Sequence, residues 1–231
     1  MHKKIGIIGG LSPESTVSYY LHITRTYVER FGDYGYPEVI IYSVNLENYH
    51  KWRSEDRWDL VADDLIACAR ALERAGADFG LIATNTMHKV FDVVQNAVDI
   101  PFIHLIDATA AKAKEIGLKR LGLMGTRYTM SDGFYHDRLA QHGLQTIVPE
   151  PEDQMMIHKV IVQELVQGRL MEESKAEYVR ILRELAGRGA QGIILGCTEI
   201  PLLVKQEDAP VPLLDTALIH ADAALEFALG E

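Results

Sequence analysis

Short apolar runs rich in β-branched residues alternate along the chain with longer amphipathic segments. The amphipathic segments predict helices, one from Ser12-Pro13-Glu14 to just before Gly32 and another from near Ser54 to Gly76. Strands that alternate with helices are typical of parallel sheets, so the pattern predicts an α/β fold. The predicted strands are residues 4–8, 39–42, 80–82, 101–103, 121–124, 192–195 and 211–214.

The two halves of the chain resemble each other. Residues 70–86 align without a gap on residues 183–199, which places Thr84 opposite Cys197. Two more pairs recur in the same order, and this favours duplication over chance similarity among βα units. The pairs are 4–9 with 120–125 and 98–101 with 209–212. We therefore predict an N-terminal lobe over residues 1–117 and a C-terminal lobe over 118–215, with the helix near 216–229 able to cross back to the first lobe.

Four loops follow the paired strands, and they begin at Gly9, Thr84, Gly125 and Cys197. Ligands of parallel sheets bind beyond the carboxyl ends of the strands. The sequence therefore predicts one active site, in a cleft between the lobes, to which these loops contribute.

Composition excludes several classes of function. The chain has 231 residues, 48% of them hydrophobic, and a formal charge of −10 without a basic cluster, so nucleic acid is an unsuitable partner. No apolar stretch suits a membrane span, and the first residues do not resemble a signal peptide, so we expect a cytoplasmic protein. The two cysteines lack the spacing of a metal site, so no metal is expected.

Cys197 is the first candidate for chemistry, because it directly follows a buried strand and precedes a predicted helix. A helix N-terminus lowers the pKa of a thiol. The alternative is a small buried core residue. Cys68 shares a helical stripe with Val61, Leu65 and Leu72, so we expect it to be such an inert residue.

The Thr84-Asn85-Thr86-Met87-His88 segment occupies the equivalent turn of the first half. Backbone amides and hydroxyl groups at such a turn can bind an anion, and Asn85 or Thr86 is also expected to cap the helix that follows. His88 can be either a base or an orienting, structural residue.

The remaining loops offer groups that bind a carboxylate. Ser12 lies in a glycine-containing loop that lacks the lysine and the glycine spacing of nucleotide sites. Thr126 and Arg127 follow a strand of the second half, and a guanidinium suits planar recognition of a carboxylate. The alternative for Arg127 is a surface ion pair.

Three motifs together resemble the cofactor-independent aspartate/glutamate racemase superfamily. They are Gly9-Gly10-Leu11-Ser12-Pro13-Glu14-Ser15-Thr16, Thr84-Asn85-Thr86-Met87-His88 and Gly196-Cys197-Thr198-Glu199. The resemblance implies two lobes related by a pseudo-two-fold axis, no cofactor, a homodimer, and stereoinversion by two opposed thiols. This chain has Thr84 where that family has its first cysteine, and a hydroxyl is too weak an acid to replace a thiol.

One subgroup of that superfamily is more similar, since it also has a threonine and a single cysteine and prefers L-aspartate or L-glutamate. The chain shares its Thr-Asn-Thr-Met-His-Lys, Gly-Thr-Arg-Tyr-Thr-Met and Gly-Cys-Thr-Glu-Ile strings. The resemblance implies that a Cys197 thiolate removes the α-proton of a small dicarboxylic amino acid, with Thr84 on the opposite face.

The expected binding groups are Asn85, Thr86 and Thr198 for the α-carboxylate, and Arg127, Thr126 and Ser12 for the distal carboxylate. His88 and Glu199 are expected to position the loops rather than to ionise. Aspartate and glutamate stay open, because they differ by one methylene. Two other functions also stay open: an arylmalonate-type decarboxylase with a single thiol and a non-catalytic amino-acid-binding module.

Overall fold

A computed structural model describes residues 2–230 and contains two four-stranded parallel sheets. The first sheet has the order β2-β1-β3-β4, with β1 Ile5–Gly9, β2 Val39–Ser43, β3 Phe79–Ile82 and β4 Phe102–Ile103. The second has the order β6-β5-β7-β8, with β5 Arg120–Gly125, β6 Gln145–Ile147, β7 Gly192–Gly196 and β8 Leu213–Asp215. The second order repeats the first, which confirms the predicted α/β architecture of two similar halves.

Helices connect the strands. They are α1 Pro13–Phe31, α2 Leu46–Ser54, α3 Trp58–Arg74, α4 Phe91–Gln95, α5 Leu105–Glu115, α6 Arg127–Ser131, α7 Gly133–Gln141, α8 Pro151–Gln163, α9 Glu172–Gly187, α10 Ile200–Leu203 and α11 Thr216–Leu229. Short 3₁₀ helices cover Thr86–Val90, Leu165–Gln167 and Gln206–Asp208. No helix within residues 2–230 combines the length and the apolar composition that a bilayer span demands.

Helix α1 has the ends that its sequence predicts. The Ser12 hydroxyl caps it by accepting the N–H of Ser15 at 3.2 Å, and Pro13 occupies the first turn, where no N–H is needed. Gly32 ends the helix in the left-handed conformation (φ 75°) and donates its N–H to Val28 O at 2.8 Å. The cap places Ser12 in the short loop that follows β1.

The helix predicted from Ser54 is wrong at its start. Ser54 is the last residue of α2, and its hydroxyl donates to Lys51 O at 2.7 Å instead of capping a new helix. Asp56 then adopts a positive φ of 55°, which interrupts the helical path, and α3 begins at Trp58. The positive φ of Asp56 therefore separates α2 from α3, whereas the sequence pattern predicted a single helix that starts near the end of α2.

The chain folds into two compact units. One unit comprises residues 2–108 together with residues 217–230, and the other comprises Thr109–Thr216. The division falls within α5, before the turn at residues 117–118 where the sequence placed it. Alanines on one face of α11 pack against the apolar side chains of β1 and β3, so this helix belongs to the first unit.

Candidate active site

In the first unit, polar side chains lie after β1 and β3, which are neighbours in the sheet. Ser12 is buried at the start of α1, and Ser15 donates its hydroxyl proton to Ala83 O at 3.3 Å. This bond ties the first turn of α1 to the residue before Thr84. The structure therefore groups Ser12 with the Thr84 segment, and Thr84 itself is half-buried.

The Thr84 segment continues into a 3₁₀ helix over Thr86–Val90. Asn85 lies at its N-cap position, but its side chain makes no capping hydrogen bond, so capping by Asn85 is a wrong expectation. The reason is its backbone, which is already helical (φ −74°, ψ −52°) and not extended as a capping residue requires. Asn85 and Thr86 are both buried.

His88 is a buried residue with both ring nitrogens occupied. Nδ1 donates to Thr84 O at 2.8 Å, because Nε2 accepts the backbone N–H of Leu105 at 3.1 Å. Burial, with the neighbouring His104, lowers the pKa of His88 well below its ordinary value. A neutral imidazole therefore holds the Thr84 carbonyl in place, which is the geometry of an orienting residue.

Two further buried histidines surround His88. The centroids of their rings lie 4.7 Å (His104) and 5.8 Å (His220) from that of His88. His220 donates through Nε2 to Ile103 O and accepts the Tyr19 hydroxyl at 2.9 Å. Neither histidine was predicted as a site residue from the sequence, although His104 directly follows β4, as Cys197 follows β7.

In the second unit, Thr126 and Cys197 follow two paired strands, β5 and β7, whose last residues Gly125 and Gly196 are in register. The Thr126 hydroxyl lies 3.3 Å from the Thr129 hydroxyl. Gly196 has no room for a side chain, because a Cβ would lie 2.8 Å from Thr129 Cγ2. The structure thus brings the Thr126 loop and the Cys197 loop to one edge of this sheet.

Arg127 is exposed and stacks on a neighbouring ring. Its guanidinium carbon lies 5.2 Å from the centroid of Tyr128, and within residues 2–230 no carboxylate forms an ion pair with it. The alternative interpretation of Arg127 as a surface ion pair is therefore wrong. An open surface pocket of about 410 Å³ lies beside it and is lined by Arg127, Tyr128, Ser131, Asp132 and Gly133.

Cys197 is half-buried and lies beside a carboxylate. Its Sγ donates to Glu199 Oε2 at 2.9 Å, and the Thr198 hydroxyl donates to the same oxygen at 2.9 Å. The expectation of a thiol at a helix N-terminus is wrong, because residues 197–199 form a turn and α10 has only four residues, from Ile200. The immediate neighbour of the sulfur is an acid, Glu199.

Cys68 has the inert environment expected from its helical stripe. It is only 2% exposed, and burial raises the pKa of its thiol to about 12. Cys197 is consequently the more accessible of the two thiols. Within the described part of the chain, no group of three or more His, Cys, Asp or Glu residues could hold a metal ion.

Comparison with known proteins identifies relatives of the whole chain. The sequence model of the Asp/Glu/hydantoin racemase family matches residues 8–224. The broad specificity amino-acid racemase RacX of Bacillus subtilis is 26% identical over 226 residues, which cover 96% of each chain. A solved protein of Yersinia pestis, classed as a candidate Asp/Glu racemase, has a TM-score of 0.93 and 42% identity over 98% of this chain and 99% of that one. An aspartate racemase homologue of Pyrococcus horikoshii has a TM-score of 0.87 and 41% identity over the same shares.

Proposed function

Because the chain belongs to the Asp/Glu/hydantoin racemase family, we propose that it is a racemase without pyridoxal phosphate that acts on L-aspartate, L-glutamate or both. In this proposal the Cys197 thiolate removes the α-proton. The observation that carries it is the position of Cys197: a half-buried thiol directly after β7, next to an acidic side chain. Thiolates are effective bases and nucleophiles only when accessible, and Cys68 is not.

The substrate is held by the polar groups at the strand ends. We assign the α-carboxylate to Asn85, Thr86 and Thr198, and the distal carboxylate to Arg127 with Thr126 and Ser12. Arg127 supports this assignment because its guanidinium has no carboxylate partner within residues 2–230, so no existing ion pair must break when a substrate binds.

Hydrogen-bond donors fixed before substrate binds stabilise a developing carbanion, and the loss of one such donor typically costs about 100-fold or more in rate. Reprotonation on the Thr84 side needs water, since the threonine hydroxyl is a very weak acid. His88 is unsuited to supply the proton, because Nδ1 donates to a carbonyl and Nε2 accepts from Leu105. We therefore expect slow, asymmetric turnover that favours the L-enantiomer.

Proton NMR in deuterated buffer tests the proposal directly. The α-proton signals of L- and D-aspartate and L- and D-glutamate are followed with chiral analysis of the product. We expect loss of the signal to be much faster for an L-enantiomer, with formation of the D-enantiomer. Because RacX is named as a broad specificity amino-acid racemase, neutral amino acids are measured as well.

The two cysteines provide a matched pair of variants. Cys197→Ser should abolish exchange, whereas Cys68→Ser, which makes the same change in the helix α3 core, should retain it. Exchange that survives Cys197→Ser would contradict the proposal. If none of the amino acids exchanges, arylmalonates are tested for release of carbon dioxide, and calorimetry then tests for amino-acid binding without turnover.

A further inference from the structure

Two buried histidines bind backbone groups of the segment that ends β4 and begins α5. His220 donates from Nε2 to Ile103 O at 2.9 Å. Leu105 donates its N–H to Nε2 of His88 at 3.1 Å. The first N–H groups of a helix have no acceptor within that helix, so the Leu105 N–H needs a partner from outside α5. The two rings therefore hold this segment at a carbonyl and at an N–H.

The hydrogen bonds determine which ring nitrogen of each buried histidine carries the proton. Nε2 of His88 accepts an N–H, so the proton is on Nδ1, which donates to Thr84 O at 2.8 Å. Nδ1 of His104 accepts the N–H of Ile106 at 3.1 Å, so this ring carries its proton on Nε2. His220 also has its proton on Nε2. His88 is therefore the one ring of the three with the proton on Nδ1.

The carbonyl that His88 binds belongs to the peptide between Thr84 and Asn85. The 3₁₀ helix does not use this carbonyl, because the backbone N–H of His88 donates to Asn85 O at 3.1 Å. No cis peptide occurs within residues 2–230, and a trans peptide points its C=O and its N–H in opposite directions. Since the Thr84 oxygen faces the buried imidazole, the Asn85 N–H points away from it. The His88 ring thus sets the direction of the Asn85 N–H.

The equivalent turn of the second half forms without a histidine. Extended by two residues, the gap-free alignment sets Pro201 opposite His88. Asp215, the residue before α11, corresponds to His104, the residue before α5. The same strand, loop and helix therefore form without an imidazole, so the α/β fold alone does not require these rings. The requirement comes from the Thr84 turn.

We propose that His88 and His220 are positioning residues that aim the Asn85 N–H at the α-carboxylate of the substrate. This rests on the proposed function, in which Asn85 and Thr86 bind that carboxylate. His88 acts through the Thr84 carbonyl. His220 fixes the segment whose N–H determines the tautomer of His88, and in these roles neither ring contacts the substrate. A donor that is held in its direction before the substrate binds needs no reorganisation during the reaction.

Two substitutions of His88 each keep one of its two hydrogen bonds. In His88→Asn the amide nitrogen replaces Nδ1 and donates to Thr84 O. In His88→Gln the amide oxygen replaces Nε2 and accepts the Leu105 N–H. Each variant leaves one buried backbone group unpaired, so the two losses of stability should be comparable. We expect KM for the L-substrate to rise about 10-fold or more in His88→Gln and to change less than about threefold in His88→Asn.

This pair of variants separates positioning from a purely structural role. A ring that only stabilised the fold would give the same KM in both variants, and that result would overturn the proposal. A larger rise in His88→Asn than in His88→Gln would overturn it as well, because the Leu105 bond and not the Thr84 bond would then matter for binding.

Nitrogen NMR of isotopically labelled histidine rings tests the geometry without substrate, since protonated and unprotonated ring nitrogens have separate signals. In the unmodified protein we expect the proton on Nδ1 of His88 and on Nε2 of His104 and His220, and a proton on Nε2 of His88 would contradict the proposal. His220→Leu removes the donor to Ile103 O, so His88 should show both tautomers and KM should rise. His220→Gln keeps an amide donor and should reverse both changes. Unchanged KM and tautomer in His220→Leu would exclude His220 from this role.

His22→Leu is the matched control. Nε2 of His22, on α1, lies 2.6 Å from Asp222 Oδ1, on α11, so this substitution also removes a contact of α11 but leaves the buried histidines intact. KM and the tautomer of His88 should stay as in the unmodified protein.

The two proposals fail in different ways. Exchange that survives Cys197→Ser contradicts the racemase mechanism, whereas equal KM in His88→Asn and His88→Gln contradicts only the positioning role. Calorimetry with L-aspartate and L-glutamate repeats the comparison of the His88 variants as affinities, which do not depend on turnover. Equal affinities of the two variants would again overturn the positioning role.

Discussion

Arg127 presents its guanidinium to solvent without a carboxylate partner within the described residues, so we expect its loss to affect binding more than folding. A hydrogen bond to a charged group contributes about 1.5 to 3 kcal/mol, so Arg127→Met should lower kcat/KM for dicarboxylic substrates about 10- to 100-fold, mainly through KM. Arg183→Met, at another exposed arginine, is the control and should change neither. Kinetics with alanine as a neutral substrate complete the test, since an equal loss there would contradict a role in binding the distal carboxylate.

The single residues of the site show what could be predicted without coordinates. One criterion, a polar residue in the loop that begins at the end of a strand, found Thr84, Thr126 and Cys197, because strand ends are visible in the hydrophobic pattern. The hydrogen-bond partners of these side chains could not be predicted from the sequence. The contact of Sγ with Glu199 depends on the turn at residues 197–199 and on side-chain rotamers, and the sequence pattern instead predicted a helix start there.

The close packing of β1 against α1 is an element-scale feature that a single substitution tests. A Cβ on Gly9 would overlap the Thr16 side chain, 2.7 Å from its Oγ1, and Thr16 also accepts the Gly10 N–H at 2.8 Å. Gly9→Ala should therefore lower the free energy of unfolding by about 1 to 3 kcal/mol, as overpacked cores do. Urea denaturation measures the change. Gly187→Ala, where the new Cβ meets no atom within 4 Å, should be neutral or slightly stabilising.

A double substitution identifies the cause of that loss. If the overlap with Thr16 destabilises Gly9→Ala, adding Thr16→Ala should cost less than the sum of the two single changes. Additive losses would instead indicate that Gly9 is needed for its backbone alone.

Most elements were predictable because their patterns are local. Seven of the eight strands correspond to apolar runs, whereas β6, Gln145–Ile147, has only three residues and two of them are polar. Strand β6 pairs with β5 through backbone hydrogen bonds, and these bonds do not require particular residue types. The break between α2 and α3 was also hidden, because it depends on the positive φ of Asp56 and not on a glycine or proline.

At the scale of the whole molecule, buried neutral histidines make stability depend on pH. Burial lowers the pKa of His220 to about 3 and that of His88 well below its ordinary value, whereas both titrate near 6.5 in the unfolded chain. Below pH 6.5 the unfolded state therefore binds more protons than the folded state, and stability is lost as the pH falls. The loss amounts to about 1.3 kcal/mol for each histidine between pH 7 and pH 5.5.

Urea denaturation at pH 7 and at pH 5.5 measures this loss, since most carboxyl groups titrate below that window. Two histidines predict a decrease of about 2.5 kcal/mol in the free energy of unfolding. His220→Leu removes one of them and the hydrogen bond from Tyr19, so it should lower stability at pH 7 but halve the dependence on pH. A free energy of unfolding equal at the two pH values would show that the histidines around Thr84 become protonated without unfolding, and the fixed neutral state of His88 would then be wrong.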